Sequence, residues 1–273
     1  MDERRIAADA LVSLDRYPLF DDMRRASIIG EARQALTARG AAILPGFLRP
    51  NAIEEMAAEA EALLSVAHRR DRMLGAYAAS PEPWMAADHP MRRTSPYRMQ
   101  VAATDQMDAG GPTLALYQWD PLLNLVRDIL DLPVLHRVVD PLMRCNFTYL
   151  TDGDEHGWHF DGNDFVVSLL LQSAEQGGAF EFAPDIRNDH DENFDGVRAI
   201  MDGKPGLTRH LAVEPGTLAL FRGRHALHRV TRVAGKRPRI ITLFSFDERQ
   251  DTDWGPAAQR RVFGRSAGEA PVP

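Results

Sequence analysis

The chain is poor in thiols: its 273 residues include one cysteine, Cys145. An intramolecular disulfide is excluded, and so is a zinc site built on several cysteines. A reducing, cytoplasmic setting is the expectation that follows. There is no excess of positive charge. Lys and Arg number 32 against 39 Asp and Glu, a formal net charge of -7 at pH 7, and no basic stripe marks a nucleic-acid surface. No apolar run approaches the roughly 20 residues of a membrane span, so no membrane partner is expected. Met1 to Ala10 carries Asp2, Glu3, Arg4 and Arg5 with no apolar stretch behind them, which argues against a targeting signal. Internal repeats and low-complexity tracts are also missing. What is there is an ordinary globular composition, 44% hydrophobic and 26% charged, with room for a sizeable core. Nine histidines are the main store of metal ligands. Any metal must be held by nitrogen and oxygen.

The first third reads helical. Residues 21–39 space Met23, Ile28, Ile29, Ala32 and Leu36 at helical intervals, with Gly40 as a stop. Residues 41–47 read as a short apolar strand. Asn51, with Glu54 three residues on, reads as the cap of a second helix that runs to about His68. Residues 70–115, with Pro81, Pro83, Pro90 and Pro96, read as an irregular lid or binding loop. Residues 121–132 read as another helix. From about residue 134 the chain turns to short segments rich in β-branched and aromatic residues: 144–150, 165–172, 179–182, 211–213, 217–221, 227–233 and 239–246. Turns such as Gly177-Gly178 and Pro215-Gly216 separate several of them. The expected class is mainly β with N-terminal helices (α+β), a jelly-roll double sheet. The expected division is a helical and lid region over 1–133, a β core over 134–250 interrupted by an acidic insertion at 184–206, and a tail over 251–273.

Three pieces of sequence carry chemistry. In His156-Gly157-Trp158-His159-Phe160-Asp161, strand alternation would set the His159 imidazole beside the Asp161 carboxylate. In His225-Ala226-Leu227-His228-Arg229-Val230, His228 shares a strand face with Val230. His225 has the opposite parity and is the alternative. Two imidazoles and one carboxylate can cover one face of an octahedral ion and leave the other open, the triad of non-haem Fe(II) oxygenases. The third piece is Lys236-Arg237-Pro238-Arg239. An oxoacid bound at the open metal face needs a cation for its far carboxylate, and arginine holds one bidentately. Arg237 and Arg239 have the same parity. Pro238 marks a strand start, which favours Arg239.

As an ordered set over residues 140–248, these pieces resemble the Fe(II)/2-oxoglutarate-dependent dioxygenase superfamily, with its double-stranded β-helix (cupin-like) core. The resemblance implies Fe(II) held by His159, Asp161 and His228, with 2-oxoglutarate and O2 as co-substrates. It implies an arginine anchor at Arg239 or Arg237. A Tyr or Asn from the preceding strand is also implied: Tyr149, or Asn146 on the opposite face. Residues 145–161 and 222–230 are more narrowly similar to the bacterial group containing free-lysine radical halogenases and their hydroxylase relatives. Those halogenases have a small residue where this chain has Asp161, a departure that argues for hydroxylation. The same likeness makes His156 a contact for a substrate carboxylate.

Trp158 is expected to line the mouth of the barrel. Asp164, with Asp152, Asp154 and Glu155, is a candidate partner for a substrate amine, although acidic loop residues in water fit the same pattern. Arg92, Arg93 and Arg98 could grip an anion. The expected activity is C–H hydroxylation of a small, amino-acid-like substrate, such as lysine or another free basic amino acid, with release of succinate and CO2. A homodimer is left open. The alternatives are a non-catalytic cupin-like metal- or sugar-binding module and an oxygenase for another substrate class.

Overall fold

The computed structural model describes residues 7–271. The reading of Met1 to Ala10 falls largely on residues 1–6, outside the described residues. Helix α1 (Asp22–Arg39) is capped by the Asp21 side chain, which accepts from the Arg24 N–H. It is closed by Gly40 in the left-handed region at φ 77. Strand β1 (Ala41–Leu44) follows at once. Helix α2 (Pro50–Leu63) starts earlier than the Asn51 cap expected for it. Pro50 sits in its first turn, where a missing N–H costs nothing, and Arg49 takes the cap position. Helices α3 (Pro112–Tyr117) and α4 (Asp120–Leu130) complete the N-terminal set.

Residues 70–115 are not the irregular segment expected. Strands β2 (His68–Gly75) and β3 (Thr94–Ala102) form a long antiparallel pair in register from His68 opposite Val101 to Gly75 opposite Thr94. The reason for the misreading is local. β2 is a mostly exposed edge strand of charged residues, so it shows no apolar alternation. The later strands are β4 (Cys145–Leu150), β5 (Glu155–His159), β6 (Val166–Gln172), β7 (Phe180–Ala183), β8 (Arg209–Leu211), β9 (Leu218–Phe221), β10 (Leu227–Val230) and β11 (Arg239–Phe244).

All eleven belong to one antiparallel sheet in the order β1-β9-β6-β11-β4-β3-β5-β10-β7-β8, with β2 on the outer side of β3. The sheet curls at β3. Its C-terminal half pairs with β4 (Gln100 opposite Tyr149), while Tyr97 and Arg98 pair with His156 and Glu155 of β5. One half-sheet thus faces the other across an interior, the double-stranded β-helix. Strands from both sides of residue 134 share it.

The helices cover the outer face of the larger half-sheet. Leu36, Met56, Ala60, Leu122 and Val126 pack there with Phe147, Tyr149, Leu169 and Leu220 in one buried cluster. The insertion at 184–206 contains α5 (Phe194–Met201), whose Val197 and Ile200 pack against Trp158 and Phe160. Where a tail was expected, α6 (Gly255–Phe263) docks on the barrel. Buried Phe263 anchors it, Asp140 accepts from Gln259 Nε2 at 3.1 Å, and just beyond it Arg265 pairs with Asp105 at 2.6 Å. It has too few apolar residues to announce itself by periodicity. No helix among the described residues is long and apolar enough to cross a membrane.

Candidate metal centre and cavity

His159 ends β5 and His228 lies opposite it on β10. Their rings stand 4.0 Å apart, centroid to centroid. Asp161 lies two residues beyond the end of β5, not on the strand as the alternation argument assumed. It is held there by its own N–H, which donates to the Gly223 carbonyl at 3.1 Å. Its Oδ1 is 3.7 Å from His159 Nε2 and its Oδ2 is 3.2 Å from His228 Nε2. One ligand atom from each of the three lies within 4.8 Å of the others, the one such cluster among the described residues.

The imidazoles are set for a metal. His159 Nδ1 lies 2.8 Å from the Gly157 carbonyl, and His228 Nδ1 lies 2.8 Å from the Ala226 carbonyl. A carbonyl only accepts, so each Nδ1 carries the proton and each Nε2 lone pair is left for an ion. Burial, then the neighbouring His228, pushes the His159 imidazole down to about 3, so it is neutral at any working pH. Burial also pushes His228 down, but the Asp161 carboxylate more than offsets this and the group ends above its usual value. Asp161 is pulled below the carboxylate range because the imidazoles, His228 first, outweigh its burial. Its Oδ2 is buried without a hydrogen-bond partner. Donor set, tautomers and orphaned oxygen fit a hard divalent ion such as Fe(II).

The triad opens on a cavity of about 560 Å³ enclosed by the curled sheet and α6. Asn146, Thr148, Phe180, Phe221, Arg239 and Ile241 are among its walls. Arg239 is 6% exposed, and its Nη1 is buried without a partner. Burial alone lowers it to about 10, so it remains a cation. The Gly177–Gly178 turn makes room for it. Gly178 has φ 68, and a Cβ there would lie 3.1 Å from Arg239 Cδ.

Several expected site residues lie elsewhere. Arg237 is in the exposed turn before β11, where it donates to the Ser173 and Ala174 carbonyls. Tyr149 faces away from the cavity into the helical core, and its hydroxyl donates to the Ala60 carbonyl at 2.7 Å. Asn146, on the other face of β4, lines the cavity instead. Trp158 also points outward, because it neighbours His159 on β5. It packs with Ala76, Phe160 and Leu227, under the Arg229 guanidinium at 4.5 Å. Asp164 is an exposed partner of Arg224 at 3.1 Å. Asp154 is 1% exposed and pairs with both Arg69 nitrogens. His225 turns to Asp189 at 3.4 Å.

His156 does enter the cavity, by a route that alternation does not show. Between His228 and Val230 the register on β5 runs from His159 to His156, so Gly157 and Trp158 together face Arg229 alone. This bulge turns both histidines, three apart, to the same side. Their rings stack at 3.6 Å. Burial, then His159, holds His156 well below its ordinary value, so it is neutral. Arg70 of β2 and Arg261 of α6 also line the cavity. Both were passed over, since neither segment carried a strand or helix signal.

Among curated proteins, none matches the chain. The family model for halogenase D matches residues 24–260. The chain belongs to the halogenase D family. Within this family setting, Asp161 is the feature to weigh, because its carboxylate completes the three-residue cluster with His159 and His228. Solved structures share the fold at low identity. The non-haem α-ketoglutarate-dependent epimerase SnoN from nogalamycin biosynthesis is 15% identical with a TM-score of 0.57, over 91% of each chain. AviO1 from Streptomyces viridochromogenes Tue57 is 17% identical with a TM-score of 0.57, over 82% of this chain and 96% of its own. HygX from Streptomyces hygroscopicus, solved with nickel and 2-oxoglutarate, is 17% identical with a TM-score of 0.52, over 82% and 89%. The fold of this halogenase D family member is thus that of the 2-oxoglutarate/Fe(II) oxygenases. A fold of this kind hosts more than one chemistry, so the reaction must be argued from the site.

Proposed function

We propose that the chain is an Fe(II)/2-oxoglutarate-dependent oxygenase that hydroxylates an unactivated C–H bond of a small, amino-acid-like substrate. The observation that carries this reading is the complete triad, His159, Asp161 and His228, opening on a cavity that also holds the unpaired, buried Arg239. When bound, iron supplies the oxidising chemistry, with O2 and 2-oxoglutarate consumed and succinate and CO2 released.

The chain's own residues do the rest. His159 and His228 offer Nε2 and Asp161 its carboxylate. Arg239 pairs with the far carboxylate of 2-oxoglutarate, and Asn146 offers it an amide. Phe180, Phe221 and Ile241 wall the site against bulk water. His156, neutral and with a buried, unpartnered Nε2, presents a hydrogen-bonding nitrogen toward substrate. Asp161 fills a ligand position that the family's halogenases keep for halide, which favours hydroxylation. A free basic amino acid such as lysine is the narrower form of the substrate expectation. The single thiol, Cys145, is fully buried, and supports a reducing, cytoplasmic setting.

The test is anaerobic loading with Fe(II) and 2-oxoglutarate, then exposure to O2 with a panel of free amino acids. Succinate and a product one oxygen heavier are the expected outcome. His159→Ala and His228→Ala should lose iron binding and turnover together. Full activity in either variant defeats the reading.

A further inference from the structure

We infer that the substrate of this site is acidic: Arg70 and Arg261, with the Tyr97 hydroxyl, form a subsite for an oxyanion, a carboxylate or phosphate, remote from the C–H bond that reacts. This rests on the oxygenase reading and sets an acidic substrate in place of the basic amino acid named as its narrower form.

Charge around the cavity is one-sided. Three arginines line it, Arg70, Arg239 and Arg261, and the one carboxylate in its wall is Asp161. Asp161 is given to the metal, so the wall keeps no acid for a basic substrate side chain. Arg239 answers the far carboxylate of 2-oxoglutarate. That leaves two cations with no anion.

Among the described residues, neither is paired with an acid, and Arg70 is also withdrawn from solvent. Arg70 is 8% exposed. Its Nη1 donates to the Tyr97 hydroxyl at 2.6 Å, its guanidinium lies 4.2 Å from the Tyr97 ring centre, and its Nε is buried without a partner. Because the phenol oxygen accepts from Arg70, its own proton is free to be donated into the cavity. The charged groups that act on Arg70 are cations, Arg72 and Arg261. Arg69, beside it in the chain, pairs with Asp154, and Arg260 and Arg265, on either side of Arg261, pair with Glu269 and Asp105. Among the described residues, Arg70 and Arg261 have no such acid. Two like charges converging on a cavity, one of them desolvated, is an arrangement that an incoming anion relieves.

The subsite also has a defined place. Arg70, Tyr97 and Met99 come from the β2–β3 hairpin and Arg261 from α6. Both elements lie outside the strands that carry the metal ligands. An acid held there points the rest of a small molecule toward the triad.

The experiment uses the full chain loaded with Fe(II) and saturating 2-oxoglutarate under anaerobic conditions. Glutamate and O-phosphoserine are titrated as acidic probes, and lysine and ornithine as basic ones, by calorimetry. At least one acidic probe should bind about tenfold or more tighter than lysine, as expected for charge-assisted hydrogen bonds. Preference between the two assigns carboxylate or phosphate. Arg70→Met should weaken the acidic probe by about tenfold or more. Arg261→Glu, at an exposed helix position that does not threaten folding, should do the same and improve lysine. If lysine or ornithine binds as well as the acids, if neither acid binds, or if Arg261→Glu changes nothing, the subsite is refuted. Failure to take up Fe(II) and 2-oxoglutarate at all would instead remove the oxygenase reading beneath it.

Discussion

Replacing Gly223 with alanine should weaken metal binding without unfolding the protein. The Gly223 carbonyl accepts the Asp161 N–H, so the two residues sit back to back. A Cβ built on Gly223 would run into the Asp161 carboxylate, 2.9 Å from its Cγ and 3.0 Å from its Cβ. Carbon atoms in contact normally stay about 3.5 Å or more apart, so the carboxylate must withdraw by roughly 0.5 to 1 Å. Gly223 is not among the glycines with positive φ, so the backbone accepts alanine and the conflict is confined to this one ligand. Displacing an element that orients a metal ligand typically costs about 10- to 100-fold in affinity, or about 1.4 to 2.7 kcal/mol. The assay is an anaerobic Fe(II) titration in the presence of 2-oxoglutarate, read by visible absorbance, beside a thermal melt of the apoprotein. Gly162→Ala, next to Asp161 but with open space where its Cβ would go, is the control and should keep the parent affinity. A parent-like affinity in Gly223→Ala would refute the argument, because it would mean that Asp161 does not need the position seen here.

Arg239→Ala should raise the 2-oxoglutarate requirement by about tenfold or more, since a charge-assisted pair is lost, while Arg237→Ala leaves it unchanged; steady-state kinetics with varied 2-oxoglutarate separates them, and the reverse result would invalidate the assignment. Tyr149→Phe should lower stability by about 0.5 to 1.5 kcal/mol through loss of its bond to the Ala60 carbonyl, with the 2-oxoglutarate KM intact; a large KM effect would return Tyr149 to the site. Asp161→Gly frees a metal position, so with added chloride a monochlorinated product by mass spectrometry is the expected readout, and oxygen insertion at the parent rate would contradict the role given to the carboxylate. Metal affinity should fall as the pH drops from 8 to 6. His228 holds its proton more tightly than a free imidazole because Asp161 outweighs burial, and an ion must displace that proton, so affinity declines as the ring protonates. A flat profile would show that another group controls binding.

That His159 and His228 come together could be read from the sequence because residue type and strand parity pointed the same way at both. The inward position of Arg239 was legible for a similar reason: Pro238 fixed where the strand begins. Tyr149 and Asn146 had opposite parity, and nothing in one sequence says which face of β4 looks inward; packing against α2 decides it. His156 reaches the cavity through a single extra residue in β5, a bulge that alternation does not show and that leaves no compositional mark, whereas Trp158, expected at the mouth, is turned outward by its parity next to His159. Arg70 and Arg261 were missed because their segments are charged and short of apolar residues. The β2–β3 pair is made by backbone hydrogen bonds and α6 by a few polar anchors around Asp140. Neither leaves a periodic pattern.

Asp161 differs from its two partners in how it is attached. The histidines are rungs of the β5–β10 ladder, and each imidazole is pinned to a carbonyl two residues back. Asp161 follows the ladder, and its one backbone tie, to Gly223, is made by an N–H that nearly every amino acid possesses. Inheritance therefore acts on the two kinds of ligand differently. Exchange of a histidine removes an Nε2 from the centre together with the imidazole's own tie to a carbonyl. Exchange of the aspartate leaves the scaffold whole and alters what the centre can bind. A substitution at Asp161 can therefore change what the centre holds while the β5–β10 ladder stays as it is.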